Sequence, residues 1–328
     1  MTPTTALSGL EARSAPEIQP YPAAEPPLTD PIRRFGTRTI DFRRHVAIMA
    51  VVNRTPDSFY DRGRTFPLAT AVAAARAAVA AGAEWVDIGG QPFAPGRRLS
   101  VAEECDRVLP LVEEVRRTTD AVISVDTFEP EVAARSIRAG ADVINDTSGL
   151  RDPAVAAVVA ASGASLILVH SLAAPRTPFP HPTYGDVVSE VVGFLSARVD
   201  DAMKEGVPAD RLLVDPGHDL NKNTLHSLQL CLRLAEVTRL GFPTVAAVSN
   251  KDFIGETLGQ ERQERQAGSL AAAVLCILQG ARILRMHDPA AAWSAARLTE
   301  SVLGWRPPVL LRHNMGEANV DAPLERTS

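Results

Sequence analysis

The fold of this chain is decided by residues His45–Asp61, HVAIMAVVNRTPDSFYD. The first part, His45–Val52, is an apolar run rich in Val, Ile, Ala and Met. A run of this length predicts a strand that is buried on both faces, as in a parallel sheet. The run stops at Asn53, and a polar loop, residues 55–58, follows. Because α/β folds bind their ligands at the C-terminal ends of parallel strands, this loop is a candidate site.

The same arrangement of an apolar strand with a polar end recurs seven more times along the chain. Eight strand–helix units in strict alternation predict a (β/α)8 TIM barrel, an α/β fold made of a single domain. A doubly wound open sheet is the alternative, and the absence of a GxGxxG fingerprint after the first strand disfavours it. The predicted strands are His45–Asn53, Trp85–Gly90, Val122–Thr127, Val143–Thr147, Ser165–His170, Leu212–Asp215, Thr244–Val248 and Ala281–His287.

Helix caps and composition predict a helix after each of these strands. Alternation in Thr37–Phe42 predicts an edge strand that forms a hairpin with the next run and closes the barrel floor. We therefore expect a disordered tail at 1–36, the barrel at 37–305 and a loose C-terminal tail at 306–328. The predicted helices are Ala69–Ala81, Val101–Arg117 with Ser100 as N-cap, one ending at Arg138, one starting near Pro153, one ending at Glu205, Leu225–Arg239, Arg265–Gln279 and one with Pro289 at N1.

Composition and charge exclude several classes of protein. The net charge of −5 argues against a nucleic-acid surface. No apolar run approaches the roughly 18 residues that a membrane span needs, and we expect no membrane partner and no signal peptide. The three cysteines lie far apart, so they predict neither a disulfide framework nor a zinc knuckle, and a reducing cytoplasm is the expected location. Likewise, the spacing of His170, His181 and His218 does not suggest metal ligation.

Polar side chains stand at the C-terminal end of every predicted strand, and a barrel brings these ends to one mouth. Paired carboxylates, amides and a lysine suit a flat heterocycle, because a carboxylate accepts two hydrogen bonds from an N–C–N amino-pyrimidine edge. Arg285 and His287, just before a helix, suit an anion such as a phosphate group. The strand-end residues are Asn53, Asp87, Gln91, Asp126, Asn145, Asp146, His170, Ser171, Asp215, Ser249, Asn250, Lys251, Arg285 and His287.

Each of these residues also has a purely structural interpretation. Asp and Asn at strand ends are often turn residues or caps of the next helix. We interpret Asp87 as a structural support for the two glycines after it, and Asp146 and Asp288 as caps or supporting partners. The convergence of so many polar groups on one rim favours a ligand site over a purely structural role, because unpaired buried polar groups are costly.

These motifs together resemble the dihydropteroate synthase family over about Thr37–Leu303. The TPDSF loop is the most specific of them, and all seven occur in the family's order. They are VNRTPDSF (Val52–Phe59), DIGG…PG (Asp87–Gly96), SVDT (Ser124–Thr127), IND (Ile144–Asp146), VDPG (Val214–Gly217), SNKDFIGE (Ser249–Glu256) and RMHD (Arg285–Asp288).

The resemblance implies a reaction in which p-aminobenzoate displaces pyrophosphate from a 6-hydroxymethyl-7,8-dihydropterin pyrophosphate. It implies Mg²⁺, bound with the substrate pyrophosphate, as the cofactor and Asn53 as its protein ligand. It also implies a homodimer formed through the last helices, and inhibition by sulfonamide or sulfone analogues. The implied pterin ligands are Asp126, Asn145, Asp215 and Lys251, the pyrophosphate ligands are Asn53, Arg285 and His287, and the catalytic residues are Asp126, Lys251 and Arg285.

Three segments depart from the family pattern. The family's GGESTRPG is GGQPFAPG here, so Phe93 and Ala94 replace a Thr–Arg pair that grips the pyrophosphate. Arg97 and Arg98 follow closely, but a shifted arginine does not reproduce a bidentate one. In the other two, DPGIGFGK becomes DPGHDLNK, with Asp219 as a new carboxylate, and SRK becomes SNK at 249–251.

We interpret the chain as a diverged family member that keeps the pterin pocket and has weak or lost condensation activity. Two cations are lost and one carboxylate is gained around two anionic substrates. The first alternative is an active dihydropteroate synthase with compensating loops. A methyltetrahydrofolate–corrinoid methyltransferase-like protein is a more distant alternative, because it gives the TPDSF loop and the Arg285–His287 pair no role.

Overall fold

The computed structural model describes residues 21–54 and 67–313. Residues 55–66, which include the whole TPDSF motif, lie outside these described residues. The strands are β1 Ile32–Phe35, β2 Arg38–Asp41, β3 Ala47–Asn53, β4 Trp85–Gly89, β5 Val122–Asp126, β6 Val143–Asp146, β7 Ser165–Val169, β8 Leu212–Asp215, β9 Val245–Ala246 and β10 Ile283–Met286. The helices are α1 Leu68–Ala80, α2 Val101–Thr118, α3 Pro130–Ala139, α4 Ala154–Ser162, α5 Val187–Lys204, α6 Thr224–Leu232, α7 Leu234–Thr238, α8 Asp252–Leu258, α9 Gln266–Leu278 and α10 Pro289–Val302.

Strands β3–β10 form one parallel sheet in the order β8-β7-β6-β5-β4-β3-β10-β9. A single parallel bridge from Val214 to Thr244 joins its two ends. Helices alternate with these strands along the chain and pack on the outside of the sheet. The fold is therefore the predicted (β/α)8 TIM barrel, and the carboxyl ends of its strands share one face.

A hairpin does close the barrel floor, but its pairing differs from the prediction. β2 pairs antiparallel with the preceding strand β1, not with the following apolar run. Phe35, Ile40 and Phe42 pack inside the barrel against the N-terminal halves of its strands, and the Phe35 and Trp85 ring centroids are 4.6 Å apart. The expected tail at 1–36 is thus partly wrong, since residues 32–35 form a strand.

The helices begin or end where the sequence predicts when the capping residue is next to the helix in the chain. Ser100 and Glu103 form the capping box of α2, Gly140 ends α3 in a left-handed conformation, and Pro289 is the first residue of α10. Two differences appear, one in the sixth strand–helix unit and one in the seventh. The single predicted helix Leu225–Arg239 is two helices that break at Arg233, and α8 was not predicted.

Among the described residues, no helix is both long enough and apolar enough to cross a membrane. The chain after α10 has no regular structure over residues 306–313, and residues 314–328 of the expected loose tail lie outside the described part. The structure thus presents one barrel whose strand ends carry the candidate site.

Candidate functional site

Arg285 organises the centre of the strand-end face. Its Nε donates to Asp87 Oδ2 at 2.7 Å, and its Nη2 lies 3.4 Å from Asp126 Oδ2. The three residues come from β10, β4 and β5, so the Arg285 side chain reaches past β3, which lies between β10 and β4 in the sheet. Ser124 Oγ donates to Asp87 Oδ1 at 2.6 Å, and Thr147 Oγ1 donates to Asp126 Oδ1 at 3.1 Å. Every carboxylate oxygen in this network is therefore held in a fixed direction.

The two carboxylates share one guanidinium, and this affects their protonation. Burial, and next the Asp87 charge, raise the pKa of Asp126 to about 7, although Arg285 acts in the opposite direction. Burial by itself lowers the pKa of Arg285, but Asp87 and Asp126 together outweigh it and keep the guanidinium charged. A ligand that donates hydrogen bonds to Asp126 would favour its ionised form.

Asn145 lies beside this network with one polar atom unused. Its Nδ2 donates weakly to Asp87, at 3.4 Å from Oδ1 and 3.5 Å from Oδ2. Its Oδ1 is buried and has no hydrogen-bond partner among the described residues. Buried amide oxygens are normally satisfied, so this acceptor indicates a site for a ligand donor.

Asp215 and Lys251 form the opposite side of the same region. Asp215 Oδ1 accepts from Gly217 N at 2.7 Å, and burial raises the pKa of Asp215. Burial lowers the pKa of Lys251, and nearby Arg285 lowers it further, while Asp219 and Asp215 oppose that shift. We call Asp87, Asp126, Asn145, Asp215, Lys251 and Arg285 the polar base.

Asn53 stands at the end of β3, in register with Gly89, which is in turn in register with Asp126. A Cβ atom on Gly89 would lie 2.6 Å from Asn53 Oδ1, so only glycine leaves room for this amide. His287 follows β10, and its Nδ1 is 3.0 Å from Ser249 Oγ. The structure thus brings Asn53 next to the polar base and places His287 two residues beyond Arg285.

Sequence reasoning missed part of this site. Asp87 was interpreted as a support for the Gly89–Gly90 backbone, but it is a central member of the polar base and bonds to side chains. Lys222 was also missed. It is buried, and its Nζ lies 2.8 Å from His170 Nδ1 and donates to Gly217 O at 2.9 Å, which fixes the loop after Asp215. No local signal marks Lys222, whereas Asp87 was visible as a strand-end carboxylate.

The second loop, residues 90–98, is held by the guanidinium of one arginine from another segment. Arg176, from the segment after β7, donates through Nη1 to Pro92 O at 3.1 Å and to Ala94 O. It also donates from Nε and Nη2 to Arg97 O, at 3.2 Å each. Its backbone N–H donates to Phe93 O at 3.0 Å. Arg176 therefore donates hydrogen bonds to several backbone carbonyls of the loop.

The two arginines that follow Phe93 and Ala94 do not replace the missing cation. Arg97 forms a surface ion pair with Glu103 at 2.8 Å, and Arg98 pairs with Glu129. Beneath the loop, Gln91 Nε2 donates to Glu104 Oε2 at 2.8 Å, and burial raises the pKa of Glu104 to about 7. The charged groups around this loop therefore serve the protein's own structure.

The loop after β8 carries Asp219, which was expected to bring negative charge towards the ligands. Its charge does oppose the lowering of the pKa of Lys251 in the polar base, and its side chain also caps α8. Its Oδ2 accepts from Asp252 N at 2.5 Å, and its Oδ1 accepts from Ser227 Oγ at 3.1 Å. His218 is a buried histidine in the same loop, and both of its ring nitrogens lack hydrogen-bond partners among the described residues. Asp146 holds its own loop, and Asp288 is the N-cap of α10, as expected.

Comparison with known proteins agrees with this geometry. Residues 49–287 match a family model described as pterin binding enzyme. An "Inactive dihydropteroate synthase 2" of Mycobacterium leprae is 45% identical over 267 residues, which cover 80% of this chain and 92% of that protein. The chain belongs to the dihydropteroate synthase family.

Solved structures of the family superpose on most of the chain. Dihydropteroate synthase from Xanthomonas albilineans in complex with 7,8-dihydropteroate is 38% identical, has a TM-score of 0.74, and covers 83% of this chain and 98% of its own. The Yersinia pestis enzyme with a sulfonamide drug complex is 33% identical, has a TM-score of 0.80, and covers 84% of this chain and 100% of its own. At these sequence identities the two enzymes resemble this chain in more than the fold.

Proposed function

We propose that this chain binds a 6-hydroxymethyl-7,8-dihydropterin in the barrel mouth and carries out the family's condensation weakly or not at all. The polar base is the observation that carries the proposal. Its unpaired Asn145 Oδ1 and its oriented carboxylates match the donors of an amino-pyrimidine edge. Asp126, Asn145, Asp215 and Lys251 are the proposed pterin ligands.

The condensation would make further demands on the site. The aryl amine nitrogen forms a bond to the pterin methylene carbon, the bond from that carbon to the pyrophosphate oxygen breaks, and the amine loses a proton. Positive charge develops on the methylene, and the carboxylates of the polar base would stabilise it. Asp126, Lys251 and Arg285 are the proposed catalytic residues. The departing anion requires cations at the rim, which we propose are Arg285 and His287.

Mg²⁺ is the cofactor that this substrate class would bring, and the residues fit it. Magnesium keeps several waters and takes one or two protein oxygens besides substrate phosphates. Asn53 Oδ1, beside Gly89 at the end of β3, is one such oxygen. When bound, the ion would neutralise the pyrophosphate charge.

The second loop supports weak or lost activity. In place of a Thr–Arg pair it presents Phe93 and Ala94, and Arg176 bonds to the backbone carbonyls of the loop. Each charge-assisted hydrogen bond is worth roughly 1.5–3 kcal/mol, so one missing contact lowers the rate or affinity by about tenfold or more. The name of the Mycobacterium leprae relative points the same way. An active synthase is the alternative.

Calorimetric titration tests the proposal. The full chain is titrated with 6-hydroxymethyl-7,8-dihydropterin and with its pyrophosphate, each with and without Mg²⁺. We expect both to bind and the pyrophosphate to add little affinity. A synthase assay with and without p-aminobenzoate runs in parallel. Absence of pterin binding would overturn the whole proposal, whereas tight pyrophosphate binding with full turnover would establish the active alternative.

We also propose a homodimer through α9 and α10, in a reducing cytoplasm. Leu275, Leu298 and Val302 on these helices are exposed, and large apolar residues exposed together favour a protein interface. The three cysteines are free, which fits a reducing compartment. Light scattering of the wild type and of Leu298→Lys tests the dimer. A monomeric wild type would contradict it.

A further inference from the structure

Three side chains that can bind a soft metal ion meet behind the loop that follows β8. They are His218 in that loop, Cys231 on α6 and Cys276 on α9. Their ligand atoms all lie within 4.8 Å of one another, and all three residues are buried. This cluster could not be predicted from the sequence, because the residues are far apart in the chain and none of their spacings resembles a metal motif.

His218 is buried with both ring nitrogens unpaired within the described ranges. Its side chain is 0% exposed, and neither Nδ1 nor Nε2 has a hydrogen-bond partner in the part of the chain that the structure describes. A neutral imidazole has one N–H donor and one lone pair, and buried polar atoms are normally paired. The ring stacks on Phe253 at a centroid distance of 6.2 Å, which satisfies neither nitrogen.

The two thiols beside it are placed to share one cation. Cys231 Sγ and Cys276 Sγ lie within 4.8 Å of each other and of a His218 ring nitrogen, and both cysteines are buried. Thiols bind a metal ion as thiolates, so a cation at this position would have two sulfur ligands and one nitrogen ligand.

We propose that His218, Cys231 and Cys276 form a metal site that binds Zn²⁺. Zinc takes thiolate sulfur and imidazole nitrogen, and two thiolates with one divalent ion make a neutral unit, which suits a buried position. Three protein ligands leave one position of the tetrahedron for a further ligand. The inference does not depend on the proposed pterin function.

The site would act on the strand-end face by fixing one of its loops. His218 follows Asp215 by three residues, so a metal bond at His218 ties the loop of Asp215 to α6 and α9. His218 is thus a positioning residue for that side of the polar base. Removing the metal would loosen the loop without removing any residue that contacts a ligand in the mouth.

The test uses the full chain, reduced and stripped of metal. It is titrated with Zn²⁺ against a chromophoric chelator and, separately, with Co²⁺ to detect thiolate-to-cobalt charge-transfer absorption. We expect one equivalent of each ion and a melting temperature about 5 °C higher with Zn²⁺ at hundredfold excess over Kd. His218→Gln, Cys231→Ala and Cys276→Ala should each bind about 100-fold more weakly. Cys105→Ala, at a buried cysteine on α2, is the matched control and should bind as the wild type does.

Several results would overturn the proposal. One is a wild-type chain without the cobalt–thiolate band, an observation that depends on no variant and so survives any folding defect. Another is full zinc affinity in all three variants. A Cys231–Cys276 disulfide in the unreduced protein, seen by mass spectrometry, would assign the thiols to a different role. Binding of Cu⁺ but not Zn²⁺ would overturn zinc as the metal.

Discussion

The polar base and the second loop use their charged residues in opposite ways. In the polar base, side chains from five strand ends and the loop after β9 point at one another and leave an acceptor, Asn145 Oδ1, without a partner. In the second loop, the guanidinium of Arg176 is bonded to backbone carbonyls, and Arg97 and Arg98 are paired at the surface. The contrast fits the proposed function, in which the polar base binds the pterin while the charged groups around the second loop are used by the protein's own structure.

The largest effect is expected when the polar base loses its cation. Arg285→Met leaves Asp87 and Asp126 buried without their shared partner. Loss of one side of a buried ion pair costs about 3–5 kcal/mol, so the free energy of unfolding in urea should fall by that amount. Arg117→Met, in an exposed pair with Glu114, is the control and should leave the free energy of unfolding nearly unchanged. An equal loss of stability in both variants would show that Asp87 and Asp126 do not need Arg285 as their shared partner.

Glu104, beneath the second loop, should make stability depend on pH. Because burial raises its pKa to about 7, folding binds a proton there, and stability falls as the pH rises from about 4.5 to about 7. Glu104→Gln removes this contribution, so between pH 5 and pH 8 the variant should lose about 2–3 kcal/mol less than the wild type. Urea unfolding at both pH values measures the difference. Asp126 shifts in the same direction in both proteins, so identical slopes would contradict the role of Glu104.

Pterin affinity should depend on the polar base. Asp126→Asn removes the charge that receives the ring's donors, and the Kd for 6-hydroxymethyl-7,8-dihydropterin should rise about 10- to 100-fold. Glu131→Gln, an exposed carboxylate on the helix that follows the same strand, is the control. Calorimetry gives both values. An unchanged Kd in Asp126→Asn would remove this carboxylate from the pterin site.

Restoring the second loop should produce a smaller gain. Phe93→Thr combined with Ala94→Arg supplies the missing hydroxyl and guanidinium, and synthase turnover should rise about tenfold. Phe93→Thr with Ala94→Gln keeps the length without the charge and should gain less. If neither variant is faster, the second loop is not what limits the reaction.

The smallest effect is expected at Arg97. Its pair with Glu103 is exposed, so Arg97→Ala should leave both the pyrophosphate affinity and the free energy of unfolding nearly unchanged. Calorimetry and urea unfolding measure the two quantities. A loss of tenfold or more in pyrophosphate affinity would mean that Arg97 turns inward to replace the absent arginine. The second loop would then contribute a cation to ligand binding, unlike the paired Arg97 described here.

Local patterns were enough to predict the barrel and the strand-end face that carries the candidate site. Short apolar runs ending in polar residues fix the strands, and parallel strands must present those ends together. Contacts between distant residues could not be predicted. The Asp87–Arg285 pair spans 198 residues, and the α8 cap is supplied by Asp219, 33 residues before Asp252. The His218, Cys231 and Cys276 cluster depends on how three separate elements pack.

The barrel is closed by a single bridge between Val214 and Thr244, beside the two-residue strand β9. This seam has one bridge, whereas the other neighbouring strands pair over two to five residues, so its amides should be among the first in the sheet to exchange with deuterium. Asp215 lies on one side of the seam and Lys251 follows the other. A small molecule bound by both Asp215 and Lys251 would hold the two sides of the seam together. Slower amide exchange at 212–215 and 244–246 would then detect its binding even in a protein that does not convert it.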